Sequence, residues 1–198
     1  MNPLAQALVA IASDLHDLHA RWALVGGLAV SVWAEPRFTR DIDLAVVAES
    51  DRDSERLVRD LGGRGYRAAD LFEHEPTARL ATARLSHRQR SPVIVDLLFA
   101  SSGIEKEVVE DAVEIGVFEG VNVPVAARPH LIALKVLARD DRSRPQDYDD
   151  LVALTRRASP SETAHARRLL ALIEERGFGR GRHLVTAFEG LLREIPTE

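Results

Sequence analysis

The strongest constraint on the fold is a glycine break followed by an alternating strand. Residues 23–25 are apolar, Gly26-Gly27 interrupts them, and residues 28–33 resume as an apolar run: a strand, a turn and a short helix. Downstream, Ile42, Leu44 and Val46 alternate with Asp41, Asp43 and Ala45, the period-two pattern of a strand with one apolar and one acidic face. Both carboxylates therefore project to the same side.

The rest of the chain supplies helices and more strands. Leu4, Leu8, Ile11, Leu15 and Leu18 recur at helical spacing, and Ser50 is placed to cap a helix running to Gly62-Gly63. Residues 80–85 and 93–99 read as strands, and residues 113–118 and 121–125 flank Glu119-Gly120 as a hairpin. Pro129 suits the first turn of a helix through Leu137. Residues 147–156, 161–175 and 182–195 are helical in pattern, broken at Ser159-Pro160 and at residues 177–181. The expected architecture is α/β (α+β): a mixed central sheet flanked by helices at residues 1–127, and a helical C-terminal part at residues 128–198 packed on it.

Composition narrows the chemistry. A net charge of −5 in 198 residues argues against a surface that grips nucleic acid everywhere. The absence of cysteine removes disulfides, thiolate catalysis and Cys-ligated zinc together, so any metal must be held by oxygen or imidazole. Histidines are scattered, and none is assigned a catalytic role. No apolar run approaches the roughly 18 residues of a membrane span, and Met1-Asn2-Pro3-Leu4 lacks a basic start leading into an apolar core. A cytoplasmic protein with no membrane partner is expected.

Alternate residues of a strand lie about 7 Å apart at their Cα atoms, close enough for both carboxylates to reach one divalent ion. Asp41 and Asp43 have that spacing, and hard oxygens favour Mg²⁺ or Mn²⁺ with a phosphate-bearing substrate. Asp96 lies inside Val93-Ile94-Val95-Asp96-Leu97-Leu98, where a carboxylate is costly unless paired, protonated or metal-bound. It either ligates an ion or accepts a proton. Gly26-Gly27, without side chains at a helix N-terminus, lets phosphate oxygens approach backbone N–H groups. No Gly-x-x-x-x-Gly-Lys-Ser/Thr occurs, which sets aside an ordinary P-loop NTPase.

Leu24-Val25-Gly26-Gly27 followed by Arg40-Asp41-Ile42-Asp43-Leu44, with Asp96 as a third carboxylate, resembles the polymerase-beta-like nucleotidyltransferase superfamily. Lys135 followed by Arg144-Pro145-Gln146-Asp147-Tyr148-Asp149-Asp150-Leu151 is similar to the AbiEii/AbiGii (MenT-type) toxin nucleotidyltransferases. The resemblance implies transfer of a nucleoside monophosphate from an NTP to an acceptor hydroxyl, with Mg²⁺ or Mn²⁺ on Asp41, Asp43 and Asp96 and Lys135 near the triphosphate. It also implies a toxin acting on tRNA or another RNA beside a cognate antitoxin. A protein or antibiotic acceptor, and a non-catalytic nucleotide-binding regulatory module, are the alternatives.

Other readings of these residues stay open. Lys135 either contacts phosphate or lays its stem along the core with its ammonium in water. Arg144, Asp147 and Asp150 either place substrate or form an ion-pair network at a helix start. Arg40 either meets phosphate or merely flanks its strand.

Overall fold

A computed structural model describes residues 2–74, 78–87, 91–139 and 145–195. They form α1 (Pro3–Asp17), β1 (Trp22–Val25), α2 (Gly26–Trp33), β2 (Asp41–Val46), α3 (Asp51–Gly63), β3 (Tyr66–His74), β4 (Arg79–His87) and β5 (Ser91–Leu98). There follow α4 (Glu105–Glu110), β6 (Val113–Phe118), β7 (Val121–Val125), α5 (Arg128–Ala138), α6 (Pro145–Arg156), α7 (Pro160–Glu175) and α8 (Leu184–Glu194).

The chain divides into two compact units, the first comprising Met1–Ala29, Arg37–Ser101 and Glu105–Ala126. It holds a mixed seven-stranded sheet in the order β3-β4-β5-β2-β1-β7-β6. β2 runs antiparallel to β1 and parallel to β5, and β1 runs parallel to β7. Register sorts the side chains by face. Leu24 pairs with Leu44, Leu44 with Leu97 and Leu97 with Ala83, and all four are fully buried. α1 packs on β2, β5 and β7 through Leu8, Ile11 and Leu15, each burial stabilising by about 1.5–3 kcal/mol. The opposite face is the acidic one.

Local chemistry sets the element ends. Asn2 caps α1 by accepting from the Ala5 N–H at 2.7 Å, and Ser50 caps α3 by accepting from the Asp53 N–H. Gly120 turns the β6–β7 hairpin at a φ of +72°. The buried Asp14 near the end of α1 accepts from the Tyr66 hydroxyl and the Arg64 guanidinium, both at 3.0 Å.

The second unit gathers Val30–Pro36, Ser102–Ile104 and Ala127–Glu198, so it is not one continuous stretch and α2 is shared between units. Within it α5 packs against α6, α7 and α8. Ser159 and Glu162 form a reciprocal capping box at the start of α7. Arg182 donates to the Val136, Leu137 and Arg139 carbonyls, satisfying acceptors that the end of α5 leaves open.

Two elements escape the sequence pattern. β3 is an edge strand with almost every residue exposed, so no burial rhythm marks it, and α4 is a single short helix. α2 begins at Gly26 itself rather than at Leu28. Among the described residues no helix is long and apolar enough to cross a membrane.

Candidate active site

β1 ends at Val25 and the chain turns directly into α2 at Gly26, whose φ is +64°. A Cβ at Gly26 would lie 1.9 Å from the Asp43 carboxylate, so the missing side chain is the space that Asp43 occupies. Next to it, a Cβ at Gly27 would meet the Arg37 guanidinium at 2.7 Å and the Thr39 hydroxyl at 2.9 Å. A carboxylate, a guanidinium and a hydroxyl thus crowd the glycine pair at the N-terminus of α2.

The register of the sheet extends this group sideways. Val25 pairs with Asp43, Asp43 with Asp96, Asp96 with Arg84 and Arg84 with Asp70, across five adjacent strands. Paired positions share a face, so Asp43, Asp96, Arg84 and Asp70 form a row of three carboxylates interrupted by one guanidinium, with Asp41 two residues from Asp43 on the same side. Asp41 and Asp43 are half-buried and Asp96 is buried.

Asp96 resolves its burial by pairing. Arg84 Nε donates to Oδ1 at 2.9 Å and Nη2 to Oδ2 at 2.8 Å, a planar two-pronged contact. The hydrogen bonds to Asp96 and its charge push the Arg84 guanidinium further up, against a desolvation that pulls it down; Asp41 and Asp70 add to the rise. Each Asp96 oxygen spends one lone pair on the fork and keeps another.

Lys135, Asp147 and Asp150 form a separate group inside the second unit. Lys135 Nζ lies 2.6 Å from Asp147 Oδ1 and 2.8 Å from Asp150 Oδ2, joining α5 to α6 in a pocket where none of the three side chains is more than 11% exposed. Arg40 is exposed and lies over the Phe38 ring, 5.3 Å from its centroid. Arg144 lies outside the described residues.

Three residues of this neighbourhood escaped the sequence reading. Arg37 and Thr39 continue the every-other-residue rhythm of Asp41 and Asp43 backwards, a signal present in the sequence. Arg84 is a lone cation between Ala83 and Leu85, and only the pairing of β4 with β5 gives it a purpose. A cleft of about 550 Å³ lies toward the other end of β1, lined among others by His16, His19, Arg21, Trp22 and Asn122.

A mixed sheet presenting three carboxylates beside a strand–glycine–helix turn is the architecture of a nucleotidyltransferase domain. The family model for the nucleotidyl transferase AbiEii toxin of type IV toxin–antitoxin systems matches residues 7–198, and the chain belongs to that family. It is a nucleotidyltransferase. An antigenic nucleotidyltransferase-like protein from Paracoccidioides brasiliensis shares its fold at 16% identity and a TM-score of 0.54, over 96% of this chain and 92% of that one. The antibiotic-resistance factor ANT(2″)-Ia does so at 17% identity and a TM-score of 0.51, over 96% and 91%. A second structure of ANT(2″)-Ia, in complex with adenylyl-2″-tobramycin, gives 16% identity and a TM-score of 0.53, over 96% and 98%. No curated protein sequence is significantly similar.

Proposed function

We propose that the protein transfers a nucleoside monophosphate from an NTP to an acceptor hydroxyl, using Asp41, Asp43 and Asp96 with Mg²⁺ or Mn²⁺, as the toxin of a cytoplasmic toxin–antitoxin pair acting on tRNA. The observation that carries the chemistry is the register of Asp43 with Asp96, with Asp41 on the same face and the Asp43 carboxylate seated against Gly26. The three carboxylates fit a hard divalent ion by donor type: all are oxygen ligands, and two further Asp96 lone pairs remain beside the Arg84 fork. When bound, such an ion supplies Lewis-acid charge for the attacking hydroxyl and the departing pyrophosphate.

The chain's own groups supply the rest. Backbone N–H groups at Gly26-Gly27 and the N-terminus of α2 receive phosphate oxygens, with the Arg37 guanidinium and Thr39 hydroxyl as adjacent donors. The acceptor oxygen forms a bond to the α-phosphorus as the bond to the β-phosphate oxygen breaks and pyrophosphate leaves. Where it does not ligate the ion, Asp96 would accept the hydroxyl proton. Residues 1–127 would carry this chemistry, and residues 128–198, with Lys135, Asp147 and Asp150, would contribute to nucleotide or acceptor binding. Membership of a toxin family supports a cognate antitoxin as partner.

The test is to incubate the purified protein, and its Asp41→Asn/Asp43→Asn variant, with each labelled NTP, Mg²⁺ or Mn²⁺, and pools of tRNA, protein extract and aminoglycosides. Label moved onto tRNA by the wild type alone supports the reading. Label on an aminoglycoside would replace the toxin with a small-molecule transferase, and no transfer without metal-dependent NTP binding would leave a regulatory module.

A further inference from the structure

Arg84 is a cation set into a row of carboxylates. It takes both oxygens of Asp96 in a fork, stands in register with Asp70 on its other side, and shares its face with Asp41 and Asp43. Its side chain is 38% exposed, so the acidic face remains within reach of solvent ions, whereas the Asp96 side chain is only 10% exposed. A fixed positive charge here has two physical consequences. It holds the Asp96 carboxylate in one orientation, because a planar guanidinium matches a carboxylate only edge to edge. It also opposes a second cation at the same oxygens, because like charges within a few ångströms repel.

We propose that Arg84 is a positioning residue of the transfer site, which orients Asp96 and sets how strongly the acidic face of the sheet binds a divalent cation. This rests on the reading of Asp41, Asp43 and Asp96 as metal ligands. In the cation-free protein Arg84 is the counter-ion that lets three carboxylates fold onto one face, and an arriving ion shares Asp96 with it.

The experiment titrates Mn²⁺ by electron paramagnetic resonance, without nucleotide, into wild type, Arg84→Gln, Arg84→Lys and Asp96→Asn. Melting in EDTA and in Mn²⁺ is recorded alongside. Arg84→Gln is expected to bind Mn²⁺ about tenfold more tightly than wild type, the low end of what one adjacent charge does to an ionic equilibrium. It should melt lower in EDTA and recover more than wild type on adding Mn²⁺. Arg84→Lys keeps the charge but not the fork; it should hold Mn²⁺ near the wild-type affinity while kcat falls about tenfold to a hundredfold with little change in the KM for NTP. Arg84→Gln affinity within twofold of wild type, with binding lost in Asp96→Asn, overturns the role of Arg84 and leaves the metal reading standing. No Mn²⁺ binding by any of the four proteins overturns both.

Discussion

Asp43 on β2 and Asp96 on β5 are direct partners in a parallel strand pair, and the Asp43 carboxylate fills the space that a side chain at Gly26 would need. One strand position therefore joins the glycine turn to the third carboxylate. Asp43→Asn keeps this packing and removes one negative charge from the acidic face. Nucleotidyl transfer should fall about a thousandfold, since ion-held charge stabilisation amounts to several kcal/mol and each 1.4 kcal/mol is about tenfold. An initial-rate assay on a variant with an unchanged melting temperature checks it; a loss under tenfold would remove Asp43 from the ligand set.

Gly26→Ala tests the other side of the same contact. The new methyl group meets the Asp43 carboxylate at well under van der Waals distance, and the φ of +64° disfavours any L side chain. Stability should drop by about 1–3 kcal/mol in urea unfolding, with loss of transfer activity. Gly120→Ala, where a Cβ meets nothing within 4 Å, should lose only the backbone part of that stability and keep its activity.

Lys135→Met removes the cation that bridges Asp147 and Asp150. Breaking a buried ion pair from one side costs about 3–5 kcal/mol, and chemical denaturation should show a loss of that size. A raised KM for NTP with an unchanged unfolding midpoint would instead make Lys135 a nucleotide contact with no structural share.

Glu162 gives the second unit a dependence on pH. Burial raises its pKa, but the Ser159 N–H and hydroxyl and the Arg128 guanidinium lower it further, leaving it below its usual range. A folded-state pKa below the unfolded value near about 4.3 adds stability above that pH, and the addition vanishes as pH falls through the folded value. Glu162→Gln should cost about 1 kcal/mol at pH 7, and the gap to wild type should close below about pH 4 in melting curves.

Leu44→Ala probes the covered face. Leu44 is fully buried between Leu24 and Leu97, and its truncation should cost about 2–5 kcal/mol by thermal unfolding.

What the sequence determined by itself is local. Alternation placed Asp41 and Asp43 on one side of a strand, Gly26-Gly27 marked the turn, Ser50 the cap of α3 and Glu119-Gly120 the hairpin, because each depends on backbone preferences over a few residues. The motifs were also enough to point to the family that the chain belongs to. Tertiary structure alone decided which strand lies beside which. It set Asp96 opposite Asp43, gave the Arg84 fork to Asp96, added the exposed edge strand β3, and enclosed Lys135 between Asp147 and Asp150. Those relations join residues far apart in the chain, and a one-residue slip of register would turn the same side chains to the other face, so no local periodicity encodes them.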